Sequence, residues 1–201
     1  MMRRMDEPAR ALSETNSAEV EAAYAALPEG TAAAILDGEL YVMTRPRPAH
    51  LRTSSCLGGE LYGPFDRGRG GPGGWIILDE PELHLGRRPD KVAPDLAGWR
   101  RERLPALPDT AAFTLAPDWI CEVLSEGTER LDRIKKARIY AREGVAHYWL
   151  VHPLQRTLEV MRNEGGLWVT VAGFSVEDGD ALIRAEPFDA IEFDLGALFT
   201  A

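Results

Sequence analysis

The chain has little of what marks a secreted or membrane protein. Its two cysteines, Cys56 and Cys121, lie far apart and form no CxxC motif. No stretch approaches the roughly 18 apolar residues that a membrane-spanning helix needs. The basic residues near the start are followed by no long apolar run, so no secretory signal is predicted. A reduced cytoplasm, with no membrane partner, is therefore the expected setting.

Motifs of several common enzyme classes are also missing. The glycine-rich segment 66–74 does not end in Gly-Lys-Ser or Gly-Lys-Thr, which excludes a phosphate-binding P-loop. The four histidines do not have the spacing of a zinc site. Ser125 lacks the G-x-S-x-G context of a serine esterase.

Negative charge outweighs positive charge, but unevenly. Of the net charge of −9, −7 falls within residues 157–201, which hold nine acidic and two basic residues, and −2 falls within residues 1–156. An acidic chain is a poor candidate for coating DNA without regard to sequence, because phosphate contacts need Lys and Arg. The first part of the chain can still form a locally basic surface for a charged substrate.

The apolar pattern predicts one α/β domain with a mixed sheet. A length of 201 residues fits a single domain, expected over residues 16–201 after a flexible tail over residues 1–15. Helices are predicted near 16–27, 49–62 and 129–143, strands at 75–78, 92–99, 119–124 and 146–151, and hairpins over 33–43 and 158–171. This order favours helices packed on a mixed sheet.

Three acidic residues stand in segments that otherwise read as strands. Glu122 lies within an apolar run, Asp95 follows a proline in a second strand, and Glu39 opens a third after the Asp37-Gly38 turn. An ionised carboxylate in a buried strand is costly unless it is paired or binds a metal. Acids on three strands can converge at one end of a sheet.

Such oxygen ligands suit Mg²⁺ or Mn²⁺, which can activate water for attack on a phosphodiester. Lys136 lies one helical turn from Asp132 and one from Tyr140, so these three side chains share a polar stripe. A lysine beside the metal can orient the attacking water or stabilise the charge that develops on phosphate.

Five segments together resemble a family of uncharacterised bacterial proteins, the Uma2-type restriction endonucleases of the PD-(D/E)XK nuclease superfamily. The segments, in order, are Asp37-Gly38-Glu39-Leu40, Ala93-Pro94-Asp95-Leu96, residues 116–125, Asp132…Lys136…Tyr140, and residues 144–153. The resemblance covers roughly residues 16–200. It implies a restriction-endonuclease-like core and a magnesium-dependent nuclease acting on DNA.

Carried over by residue, the resemblance implies that Glu39, Asp95 and Glu122 hold Mg²⁺ or Mn²⁺ and that Lys136 assists catalysis. The superfamily lysine would sit two residues after Glu122, where this chain has Leu124. Lys136 is then its substitute, with the neighbouring Lys135 as the alternative. Because this superfamily often cuts two strands with two subunits, the resemblance also implies a homodimer.

Several alternatives stay open at this point. The chain can be a catalytically inactive nuclease fold that binds DNA or another protein, or a nucleotide- or RNA-processing hydrolase that uses the same acids. Glu122 can simply pair with Lys136 as a buried ion pair. Asp118 is interpreted as a strand-start acid rather than a ligand. The basic residues of the helix at 129–143 either face DNA or form an ordinary solvated surface.

Overall fold

The computed structural model describes residues 10–12, 17–87 and 90–200. The strands are β1 (Arg10–Leu12), β2 (Ala33–Leu36), β3 (Glu39–Val42), β4 (Trp75–Asp79), β5 (Leu83–Leu85), β6 (Asp90–Val92), β7 (Leu96–Arg100), β8 (Trp119–Val123), β9 (His147–His152), β10 (Thr157–Glu164), β11 (Leu167–Ser175), β12 (Leu182–Ile183) and β13 (Phe193–Asp194). The helices are α1 (Ser17–Ala25), α2 (Pro48–Leu61) and α3 (Ala137–Arg142), with π-helical segments at Tyr62–Asp66 and Leu131–Lys136 and a 3₁₀ turn at Gly196–Leu198.

Two larger sheets and one small sheet organise these elements. The five-stranded sheet has the order β1-β3-β2-β6-β5 and the six-stranded sheet the order β11-β10-β9-β8-β7-β4, while β12 pairs with β13. In the six-stranded sheet β8 and β9 run parallel and the other neighbours run antiparallel. The predicted mixed sheet with helices is confirmed. Apart from β1, the predicted tail lies outside the described residues.

The central strand β8 separates two apolar cores. Ile120 packs into one core with Trp99 and Tyr148. Trp119 and its alternating neighbours pack into the other, which also contains Trp149. A strand sends successive side chains to opposite faces, so a strand that is buried on both faces reads as a continuous apolar run. Because β8 is such a strand, the carboxylate of Glu122 is fixed inside the protein.

The segment 92–99, predicted as one strand, is two strands in different sheets. β6 ends at Val92 in the five-stranded sheet, and β7 begins at Leu96 in the six-stranded sheet. Pro94 has no N–H to donate to a ladder, so a break at this point is physically reasonable. Asp95 therefore lies in the connection between the two sheets, not within a strand.

The helix predicted over 129–143 contains a π-helical stretch, Leu131–Lys136. In a π-helix the repeat is wider than in an α-helix, so residues after the stretch are rotated to another face. A regular apolar stripe along this helix would bury Ile134, but that residue is 42% exposed. The helix instead buries two polar residues, Asp132 and Lys136.

Gly98 in β7 lies where two tryptophan rings approach the backbone. A Cβ atom at this position would lie 3.2 Å from both Trp119 Cε3 and Trp75 Cε3. We expect Gly98→Val to destabilise the protein by about 1–3 kcal/mol, the range for overpacking a core, as measured by urea unfolding. The control is Gly173→Val on β11, where a Cβ would meet nothing within 4 Å. Equal effects of the two substitutions would contradict this account of β7.

Candidate active site

A cleft of about 1270 Å³ gathers three of the four predicted site residues. Asp95, Glu122 and Lys136 all line it. His50 from α2 and Asp132 from the π-helical stretch also line it. The cleft is therefore lined by three parts of the fold: the connection between β6 and β7, the central strand β8, and the helix that follows β8.

Strand register explains why Asp95 and Glu122 meet. β7 and β8 are antiparallel, and Leu96 pairs with Cys121. Asp95 directly precedes Leu96 and Glu122 directly follows Cys121, so this pairing brings Asp95 and Glu122 to the same end of the strand pair. A hydrogen bond supports this placement, because the backbone N–H of Val123 donates to Asp95 Oδ2 at 2.6 Å.

Glu122 is bound by two side chains of the following helix. Lys136 Nζ donates to Glu122 Oε2 at 3.0 Å, and the hydroxyl of Tyr140 donates to Oε1 at 2.7 Å. Lys136 Nζ also lies 2.8 Å from Asp132 Oδ1. Asp132, Lys136 and Tyr140 are spaced four residues apart, so the predicted polar stripe faces Glu122 as one surface.

Three buried titratable side chains, Glu122, Asp132 and Lys136, set the electrostatics of the site. Burial raises the pKa of Glu122 to about 8, although the nearby Lys136 charge acts in the opposite direction. Burial also raises the pKa of Asp132. Burial disfavours the Lys136 ammonium, but the charges of Asp132 and Glu122 outweigh it and raise its pKa. When both carboxylates are ionised, a single buried ammonium serves the two of them, and a bound cation would favour that ionised state.

His50 is a site residue that the sequence did not reveal. Its Nε2 lies 2.7 Å from Asp95 Oδ1. Burial lowers the pKa of His50, but the hydrogen bond to Asp95 and the charge of that carboxylate raise it more, so the net shift is upward. A single histidine in the first turn of a helix gives no spacing signal, and only the fold brings it to Asp95.

Glu39 does not line the cleft that contains the other two predicted metal ligands. Its carboxylate accepts hydrogen bonds from Lys135, at 2.5 Å, and from the Tyr41 hydroxyl. The hydrogen bond from Lys135 lowers the pKa of Glu39. Glu39 belongs to the five-stranded sheet, so it lies on a different sheet from Glu122. Lys135 faces Glu39, whereas Lys136 faces the cleft, which separates the roles of the two lysines.

Asp118 and two of the basic helix residues, Arg133 and Arg142, form ion pairs outside the cleft. Asp118 accepts the backbone N–H of Arg100 and pairs with Arg103 at 2.6 Å, as expected for a strand-start acid. Arg133 bonds to two glutamates, and Arg142 bonds to the carboxylates of three acidic residues. These contacts favour a solvated helix surface over a DNA-facing one.

A crystal structure of "a putative nuclease belonging to DUF820" from Anabaena variabilis superposes with a TM-score of 0.70 at 21% identity, covering 88% of this chain and 94% of that one. No curated protein matches. The model of the Uma2 family, described as "putative restriction endonuclease", matches residues 20–196. The chain belongs to the Uma2 family. The family match and the similarity of fold together support a nuclease-like protein. No helix of the described residues is long and apolar enough to cross a membrane.

The cleft residues fit a hard divalent cation. Among residues 17–87 and 90–200, no three His, Cys, Asp or Glu side chains stand close enough to form a complete metal cage. Mg²⁺ does not need one, because it is usually held by one or two carboxylates together with water and substrate phosphate. Each oxygen of Asp95 and Glu122 accepts one hydrogen bond from the protein, and each retains a second lone pair.

Proposed function

We propose that this Uma2 protein is a metal-dependent endonuclease that hydrolyses DNA phosphodiester bonds. The observation that carries the proposal is that Asp95 and Glu122 line the same cleft, with the buried Lys136 ammonium 3.0 Å from Glu122. The family and the nuclease-like fold support it. In this proposal Mg²⁺ or Mn²⁺ is held by Asp95 and Glu122, without Glu39.

Each side chain then has a physical role. The bound ion supplies Lewis-acid chemistry and lowers the pKa of a coordinated water. Asp95 and Glu122 hold the ion, and Tyr140 keeps the Glu122 carboxylate in one orientation through its hydrogen bond. Lys136 presents an ammonium that can donate to phosphate oxygens as negative charge develops on them. Asp132 holds that ammonium in place from the other side.

The charge of the cleft explains why DNA cleavage should depend on metal. Six acidic side chains line the cleft against three basic ones, Arg45, Arg47 and Lys136. A phosphodiester would be repelled by this lining, since affinity for nucleic acid comes largely from cationic contacts to phosphate. A divalent ion held by Asp95 and Glu122 would offset much of this negative charge where the phosphate must sit.

A nicking assay tests the proposal. We expect the wild type to nick supercoiled plasmid or cut single-stranded DNA with Mg²⁺ or Mn²⁺, and to do neither in EDTA. Asp95→Asn should lose this activity because it removes the charge of one metal ligand. Asp118→Asn is the control, since Asp118 precedes β8 and does not line the cleft. Cleavage that survives Asp95→Asn would reject this site.

A catalytically inactive nuclease fold that binds DNA or another protein is the second candidate. It is favoured by the contacts of Glu122, whose two oxygens are both bonded within the protein. It is also favoured by Leu124, a buried apolar residue where the superfamily lysine would stand. Calorimetry separates the two functions, because the inactive protein would bind no Mn²⁺ at concentrations where the nuclease does.

The proposal also includes the partner and the assembly. DNA is the proposed partner, in a cytoplasmic setting. A homodimer would bring two clefts to the two strands of a duplex. Sedimentation equilibrium, with and without DNA, measures whether the assembly forms.

A further inference from the structure

Helix α2 packs beside the cleft and contacts two acidic residues. The His50 side chain is only 12% exposed, and its Nε2 contacts Asp95 Oδ1 at 2.7 Å. One turn later, Ser54 hydrogen-bonds to Asp79 at the end of β4. The helix thus contacts two acids through residues i and i+4, which lie on the same helix face. Of these two acids, Asp95 is the one that lines the cleft.

The Asp95 carboxylate is fixed at both of its oxygens. His50 contacts Oδ1 from α2, and the Val123 backbone N–H donates to Oδ2 from β8. The backbone contact alone would let the carboxylate rotate about its bond to the chain. The second contact sets the plane of the group and so directs its remaining lone pairs.

Within the part of the chain that the structure describes, the imidazole makes one polar contact, the one with Asp95. Among the described residues, His50 Nδ1 is buried and has no hydrogen-bond partner. The orientation of the ring therefore depends on the contact with Asp95. Such an arrangement serves the carboxylate more than it serves packing, because an apolar side chain would fill the same place with no unpaired polar atom.

We propose that His50 is a positioning residue that orients Asp95 for the divalent ion. This inference rests on the proposed function, because it assigns His50 to the same metal site. Partners that hold a metal-binding side chain from behind typically change metal affinity by about 10–100-fold when they are removed. His50 acts here through its hydrogen bond to Asp95 and touches neither the ion nor the phosphate.

Titration calorimetry with Mn²⁺ and the full chain tests the inference without DNA cleavage. We expect His50→Leu to weaken Mn²⁺ binding by about 10–100-fold. His50→Gln keeps an N–H donor and should recover most of the affinity. His84→Leu is the matched control, because His84 makes a similar contact, 2.6 Å to Glu82, a cleft-lining acid that the proposal does not assign to the ion. It should bind Mn²⁺ as the wild type does.

A double-mutant cycle shows whether His50 acts through Asp95. In an Asp95→Asn background, His50→Leu should cause no further loss of Mn²⁺ affinity. Circular dichroism checks that each variant folds, and His50→Asn, whose amide is too short to reach Asp95, replaces His50→Leu if that variant does not fold. Wild-type affinity in the variant lacking the contact would overturn the inference. Absence of Mn²⁺ binding by the wild type would instead reject the metal site itself.

Discussion

Lys136→Met is expected to lower the free energy of unfolding by about 3–5 kcal/mol, the usual cost of removing one partner of a buried ion pair. Lys136 is 4% exposed and lies between Glu122 and Asp132. Methionine fills a similar volume but leaves two buried carboxylates without a cation. Urea unfolding in EDTA measures the loss. The loss should be largest above pH 8 and shrink as the pH falls through that value, because burial raises the pKa of Glu122 to about 8 even beside Lys136, and raises the pKa of Asp132 too, so that both acids take up protons in the folded state.

The neighbouring lysine provides the control for this substitution. Lys135 pairs with Glu39, and the two side chains are 33% and 31% exposed. Exposed ion pairs contribute about 0–1 kcal/mol, so Lys135→Met should cost far less than Lys136→Met. Equal losses for the two lysines would show that Lys136 is not the buried cation of the site.

Glu122→Gln is expected to reduce DNA cleavage by about a thousandfold while the protein stays folded. The amide has the shape of the carboxylate; its oxygen can accept the hydrogen bond of Lys136, and its NH2 can donate to the hydroxyl oxygen of Tyr140. It lacks the charge that holds a divalent ion, whose contribution of several kcal/mol corresponds to about three powers of ten in rate. Initial rates of plasmid nicking at fixed Mn²⁺ measure the effect.

Glu159→Gln is the matched control for this variant. Glu159 is also a glutamate on a strand of the six-stranded sheet, but it pairs with Arg133 and does not line the cleft. Its substitution should leave the nicking rate within about twofold of the wild type, since surface changes rarely disturb a distant site. Full activity in Glu122→Gln would place the chemistry elsewhere in the protein.

Much of this fold follows from local patterns in the chain. Asp37 and Gly38 both have positive φ, 51° and 80°, as a tight hairpin turn requires. A period of two along β8 sets Glu122 on the same face as Ile120, away from Cys121, and Ile120 and Cys121 do pack into different cores. The pairing of Lys136 with Glu122, one of two alternatives weighed from the sequence, is present at 3.0 Å.

Features that depend on distant contacts could not be predicted in this way. A strand pattern does not tell which sheet a strand joins, so the sequence could not show that Glu39 and Glu122 lie on different sheets. The π-helical stretch changes the helical repeat without any residue that breaks the helix. His50 reaches Asp95 across 45 residues of sequence, and no local pattern records that contact.

The measurement that tests the central claim most directly is anomalous scattering from a crystal of the wild-type protein grown with Mn²⁺. The account predicts a manganese peak in the cleft within coordination distance of both Asp95 and Glu122, and no such peak in crystals of Glu122→Gln. A cleft without manganese at millimolar Mn²⁺, with Lys136 still bonded to Glu122 and Asp132, would contradict it.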